Sequence, residues 1–244
     1  MKVFYWNIRG IGNPSSQMEF SNFCRIHKPD LICIAEPMVD FSSWLSLNLT
    51  LVAVNDRGSS LPNILVLCNN LLDPRVICNS SQQISVQIEL DNVTCLLTFV
   101  YAFTNPYTRR QLWQTLSDLS LNCGPWMVIG DFHSVLGSHE KKGGCPPLQL
   151  ACSDFKQMSD FCNLIHLHTI GAHYTWSNGW RTRGHIELRL DRSLCNPEWL
   201  DKWSQTSCHT LPRLVSDHKP LLFIVLLIKT CLVALNLSGF NPCG

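Results

Sequence analysis

The feature that most constrains this chain is a series of strand-length apolar runs, each with a polar residue at or just beyond one end. Val3–Ile8, Leu31–Ala35, Val93–Tyr101, Trp126–Ile129 and Leu221–Ile228 are the clearest. Apolar on both faces, they predict strands covered on both sides. Leu51–Val54, Ile64–Cys68, Ile84–Leu90, Tyr174–Ser177 and Leu188–Cys195 predict further strands, and Asp91-Asn92 predicts a hairpin between two of them. Helical spacing occurs at Gln17–His27, Thr108–Leu121 and Leu148–Leu164. Hairpins mixed with helical crossovers predict a layered α/β domain with mixed sheets. The expected domain spans residues 1–225, with 226–244 a tail that matches no pattern.

Composition narrows the function classes. An apolar content of 45% excludes a disordered chain. Lys+Arg 19 against Asp+Glu 18 gives a net charge of +1, which excludes a globally basic binder. Any grip on nucleic acid must then come from a local patch. The 13 cysteines are odd in number, scattered and without a Cys-x-x-Cys pair, so buried free thiols are expected rather than disulfides or zinc. No run is long enough to span a membrane. Asn7 and Arg9 interrupt the first apolar stretch, so it is not a secretory signal. The expected location is intracellular, nuclear or cytoplasmic. A monomer with no obligate protein partner is expected.

Asn7, Glu36, Tyr101, Asp131, Asp191 and Asp217-His218 all stand at strand ends, where a sheet can aim side chains from distant sequence into one cleft. Taken singly, an acid after a strand is an ordinary turn residue. Taken together they are the parts for metal-assisted phosphodiester cleavage. Hard oxygens hold Mg²⁺, a carboxylate activates water, and an imidazole with Tyr and Asn donors stabilises the phosphate.

The ordered motifs Trp6-Asn7-Ile8-Arg9-Gly10, Ala35-Glu36-Pro37, Val100-Tyr101-Ala102, Ile129-Gly130-Asp131-Phe132-His133-Ser134, Tyr174-Thr175-Trp176-Ser177, Leu190-Asp191-Arg192 and Ser216-Asp217-His218 resemble the endonuclease/exonuclease/phosphatase superfamily. Gly130–Gly144 and Tyr174–Leu200 resemble in particular the endonuclease domain of plant non-LTR (LINE-type) retrotransposons. The resemblance runs from Met1 to about Leu222. It implies an α/β (α+β) four-layer sandwich, deoxyribonuclease-like, with two mixed sheets face to face and helices outside. It implies Mg²⁺, with Mn²⁺ as an alternative, and DNA as partner.

By the same resemblance, Glu36 is the main metal ligand and Asp217 assists the metal or the imidazole. Asn7 holds Asp131, which activates the water. Tyr101 donates to the phosphate, Asp191 orients His218, and Thr175 and Ser216 are lesser phosphate contacts. Arg181 and Arg183, with Arg109-Arg110 and Lys141-Lys142, are candidate phosphate contacts in loops. Trp176 and Trp180 could stack on bases, and for Trp176 a core role is equally open. His133 departs from the family, which has Asn there. It is read as decay that crowds the site, so His133→Asn is expected to raise activity.

The absence of a following reverse transcriptase leads to the expectation of a transposon fragment. Two rivals stay open. One is a degenerate piece that folds but cuts poorly. The other is a phosphatase acting on a small phosphorylated substrate.

Overall fold

The computed structural model describes residues 1–39, 49–69, 71–180 and 183–227. The apolar runs become the central strands of two sheets. One sheet has the order β11 (Thr169–Ile170), β15 (Thr206–Thr210), β16 (Leu221–Val225), β1 (Lys2–Asn7), β2 (Leu31–Ala35), β4 (Ile64–Cys68), β3 (Thr50–Val54). The other runs β10 (Ile165–His166), β14 (Asp191–Cys195), β8 (Trp126–Asp131), β7 (Val93–Tyr101), β6 (Gln83–Leu90), β5 (Arg75–Ser80). A small third sheet joins β12 (Trp176–Ser177), β13 (Glu187–Leu188) and β9 (Lys141–Lys142).

Both large sheets are mixed. The parallel pairs β1–β2 and β7–β8 need crossovers, which α1 (Pro14–His27) and α2 (Pro106–Ser120) supply. Successive side chains on a strand face opposite ways, so each central strand feeds two cores. Val3 and Tyr5 of β1 join Val66, Leu97, Phe99 and Met127 between the sheets. Phe4 and Trp6 point outward onto Phe20 and Phe23 of α1. On the far side, Trp126 and Val128 of β8 meet Leu112 and Trp113 of α2 and Phe155 of α3 (Gln149–Phe161). The layers are therefore helix, sheet, sheet, helix, the four-layer sandwich expected.

Helices α1 and α2 begin earlier than their apolar spacing predicts, whereas α3 falls within the expected Leu148–Leu164. Asn13, Asn105 and Asn196 each cap a helix whose first residue is proline: α1, α2 and the short α4 (Pro197–Lys202). The amide side chain accepts an otherwise unpaired N–H, and proline needs none there. The Asp91-Asn92 turn forms as expected, both residues at positive φ, 54° and 59°. The Leu188–Cys195 run divides into β13 and β14, and β5, β9, β10, β11 and β15 are additional strands. All described cysteines are free, and most are buried or half-buried. Among the described residues no helix is long and apolar enough to cross a membrane.

Candidate active site

Strand register gathers the polar residues. Asp131 closes β8 between Tyr101 at the end of parallel β7 and Asp191 at the start of antiparallel β14. Gly130 makes this possible, because a Cβ there would stand 2.1 Å from the Val100 carbonyl oxygen. On the facing sheet, Asn7 ends β1 opposite Ala35, and Glu36 follows directly. Tyr5 joins the two sheets: its hydroxyl donates to Val100 O at 2.8 Å and accepts from Asp131 N at 2.9 Å.

The side chains then meet directly. The Asn7 amide donates to Glu36 and to Asp131, 3.1 Å each. The Tyr101 hydroxyl donates to Glu36 Oε1 at 2.6 Å. His218 Nδ1 donates to Asp191 at 2.9 Å, and its Nε2 lies 3.7 Å from Asp131. Asp217 accepts from Trp176 Nε1 at 2.9 Å and from Arg9 at 2.6 Å, and Arg9 Nε stands 3.7 Å from Glu36. Arg9, Glu36 and His133 all have positive φ, 49°, 50° and 44°, a strained region for residues with a Cβ. Such outliers cluster where the surroundings impose geometry for function.

Electrostatics follows from burial and neighbours. Burial alone would lower His218, but Asp191 and Asp131 overcome it and raise the imidazole to about 9. Burial would raise Asp131, yet the His133 and His218 charges and the bonds from His133 N and Asn7 hold it below the usual carboxylate range. Burial raises Asp191. The Tyr101 hydroxyl is raised by burial and by Glu36, so it stays a donor.

Hard oxygen donors are present for a divalent cation. Asn7 Oδ1, Asp191 Oδ1 and Asp217 Oδ1 are buried without hydrogen-bond partners, so each is an oxygen donor left open. Ligand atoms of Asp131, Asp191 and His218 also lie within 4.8 Å of one another. In that trio, however, His218 gives Nδ1 to Asp191, and an imidazole that stays protonated to about 9 is a poor ligand. Glu36 and Asp217, both reached by Arg9, are hard oxygen donors that suit a divalent cation better.

Several sequence expectations change. Thr175 and Ser216 are buried and their hydroxyls bond mainly to backbone, with Thr175 also bonded to the Asp191 carboxylate. Thr175 accepts from Leu190 N and Asp191 N, while Ser216 donates to Asn7 O and accepts from His218 N. They brace the strand ends that carry Asn7, Asp191 and His218. Arg109 is buried, donating to the carbonyls of Phe132, His133 and Thr104, and Arg110 pairs with Asp154. Neither faces a cleft as a free cation. Arg183 is exposed, whereas Arg181 lies outside the described residues. Trp176 is half-buried over Asp217, and Trp180 is exposed. His133 stays in the site: Nδ1 donates to Ala102 O at 2.7 Å, Nε2 lies 3.5 Å from Asp131, and the ring packs edge-on against Tyr101.

The sequence reading missed Arg9, although its place two residues after Asn7 and just before Gly10 was a signal. It also missed the buried pair Glu140–Arg192, whose two bonds of 3.0 and 2.7 Å fasten the loop after Asp131 to β14.

No curated protein matches this chain in sequence. Among solved structures, the endonuclease domain of TRAS1, a telomere-specific non-LTR retrotransposon, superposes with a TM-score of 0.71 at 14% identity, covering 93% of this chain and 99% of that one. An AP endonuclease from Archaeoglobus fulgidus gives 0.71 at 14% identity, with 93% and 100% covered. The 3′ phosphatase NExo from Neisseria, bound to product DNA hairpin, gives 0.70 at 16% identity, with 93% and 100% covered. Residues 4–218 match the Endonuclease/Exonuclease/phosphatase family, and the chain belongs to that family.

Proposed function

We propose that this protein is a metal-dependent phosphodiesterase that nicks DNA, the endonuclease domain of a plant non-LTR (LINE-type) retrotransposon. The observation that carries the chemistry is the bonded network of Asn7, Glu36, Tyr101, Asp131, Asp191 and His218, drawn from both sheets. The likeness to the TRAS1 endonuclease and to an AP endonuclease supports DNA as substrate. The Gly130–Gly144 and Tyr174–Leu200 segments support the retrotransposon assignment.

Glu36 and Asp217, with the free oxygen of Asn7, would hold Mg²⁺, or Mn²⁺ in its place. Bound there, the cation supplies charge neutralisation as negative charge builds on the phosphate. Asp131, kept ionised, takes a proton from the attacking water. His218, kept cationic by Asp191, donates to the phosphate oxygens as they gain charge. The Tyr101 hydroxyl donates alongside Glu36. Arg9, half-exposed and shared by Glu36 and Asp217, positions both carboxylates and would itself present a cation to a substrate phosphate.

Conversion of supercoiled plasmid to the nicked circle in Mg²⁺ tests this reading, with Glu36→Gln as control. Asp131→Asn and His218→Ala are each expected to slow nicking by at least ~10²-fold. A variant as fast as the parent removes its residue from the mechanism. The likeness to the 3′ phosphatase NExo favours a second reading, removal of a terminal phosphate. Release of inorganic phosphate from a 3′-phosphorylated oligonucleotide, without nicking, would establish it.

A further inference from the structure

Beside the candidate site lies a depression of about 360 Å³ that shares two walls with it, Glu36 and Tyr101. Its other walls are mostly apolar, chiefly Met38, Leu61 and Phe103, with Asn63, Thr104 and Arg57 among them. Met38 and Leu61 are more than half exposed, 55% and 57%, although both are large apolar side chains. The loop carrying Arg57 and Leu61 is fixed rather than slack. Buried Asn55 donates to Asn63 Oδ1 at 2.7 Å and accepts from the backbone N–H groups of Asn63 and Ile64. Arg57 Nη1 donates to Leu61 O at 3.0 Å, which ties the cation to the apolar wall. Among the described residues Arg57 is in no ion pair.

A preformed apolar hollow with one cation fits a ligand with a flat apolar body and an adjoining anion. We propose that this hollow is a subsite for the nucleoside next to the scissile phosphate, with Arg57 on that nucleoside's other phosphate. The inference rests on the phosphodiesterase reading, because a phosphate held at Tyr101 and Glu36 must continue into a sugar and base on one side. Continuity favours a nucleoside over a lipid tail: the hollow opens directly beside the reacting group.

Thymidine 3′,5′-bisphosphate is the probe, since it presents one nucleoside between two phosphates. Its binding is measured by calorimetry in Ca²⁺ and compared with inorganic phosphate. The parent is expected to bind the bisphosphate at least about tenfold tighter than phosphate, the scale of one stacked base. Leu61→Trp fills the hollow and Arg57→Gln removes its charge. Both positions are at the surface, so both variants should fold, as circular dichroism will verify. Each is expected to lose at least about tenfold in bisphosphate affinity while keeping its affinity for inorganic phosphate. Variants that bind the bisphosphate like the parent, or a parent that prefers it no more than phosphate, overturn the subsite. A parent that binds the bisphosphate through these residues yet does not nick plasmid leaves the subsite standing and counts against the nuclease reading alone.

Discussion

At the scale of single residues, His133 and His218 flank the same carboxylate and differ in their anchors. His218 is tied to Asp191, an acid. His133 is tied to the Ala102 carbonyl, and its Nε2 stands 3.5 Å from Asp131. When protonated, that ring puts a second positive charge on the group asked to accept a proton from water, and so weakens it as a base. Asparagine carries no charge and, like histidine, accepts the positive φ of 44°. His133→Asn is therefore expected to raise the nicking rate about tenfold, ~1.4 kcal/mol of barrier. A flat or falling rate would make His133 a working replacement for the family's amide. His218 also sets a pH limit. Its value of about 9 lies above the ordinary imidazole value, so the cation persists through neutral pH, and activity should fall as pH rises through about 9. The same sign applies to folding: the stability this group contributes is complete below about 6.5 and is lost as pH rises through about 9. Asp191→Asn removes the largest upward pull, so the alkaline limb of the rate profile should move at least about one pH unit down. A limb that stays put would assign it to another group.

At the scale of elements, the site depends on how the loop after β8 is pinned. Glu140, in a 3₁₀ turn at Ser138–Glu140, accepts two bonds from fully buried Arg192 of β14 and one from Leu136 N at 2.7 Å. Arg192 lies over the Phe155 ring at 5.0 Å. Removing one partner of a buried pair strands the other charge, at a cost of about 3–5 kcal/mol. Glu140→Gln should lower the urea midpoint accordingly, and the double variant Glu140→Leu/Arg192→Met should lower it less. Equal loss in both would deny the pair its charge-specific role. None of this showed in the sequence, because Glu140 and Arg192 are 52 residues apart and no local pattern links them. What was legible were elements with a long period. The fully buried strands β1, β2, β4 and β8 announce themselves as apolar runs. Strand β5 did not, since Arg75–Ser80 is mostly exposed at a sheet edge and lacks an apolar face. The two-residue strands β9, β10 and β11 are shorter than any period, and their pairing is decided by partners far away in sequence. The helix starts were missed for another reason: the Asn-Pro pairs at 13–14, 105–106 and 196–197 were present but carry no apolar signal. Asn7, Glu36, Tyr101 and Asp131 were legible as one group because a strand end fixes where each side chain stands. The bracing bonds of Thr175 and Ser216 to backbone did not show, because a hydroxyl at a strand end serves backbone and substrate equally well on paper.

At the scale of the whole molecule, a net charge of +1 leaves little long-range attraction to a polyanion. The cations are spent unevenly. Arg109 and Arg192 are buried against carbonyls and Glu140, and Arg110 and Lys142 pair with Asp154 and Glu187. Near the site stand half-exposed Arg9, which pairs with Asp217, and Arg57 beside the hollow, while exposed Arg183 lies in the loop before β13. Each phosphate neutralised on a duplex contributes about −0.9 to the slope of log affinity against log salt. Duplex binding should then be modest and governed by few contacts. Removing Arg181 and Arg183 together should flatten the slope by up to about 2 units, while removing Lys142, already paired with Glu187, should leave it nearly unchanged. Fluorescence anisotropy of one labelled duplex in Ca²⁺, at several salt concentrations, measures both. An unchanged slope in the double arginine variant would move the DNA track away from the loop between β12 and β13. A slope that flattens with Lys142 instead would move it to the β9 edge of the small sheet, past the ion pair that the fold provides there.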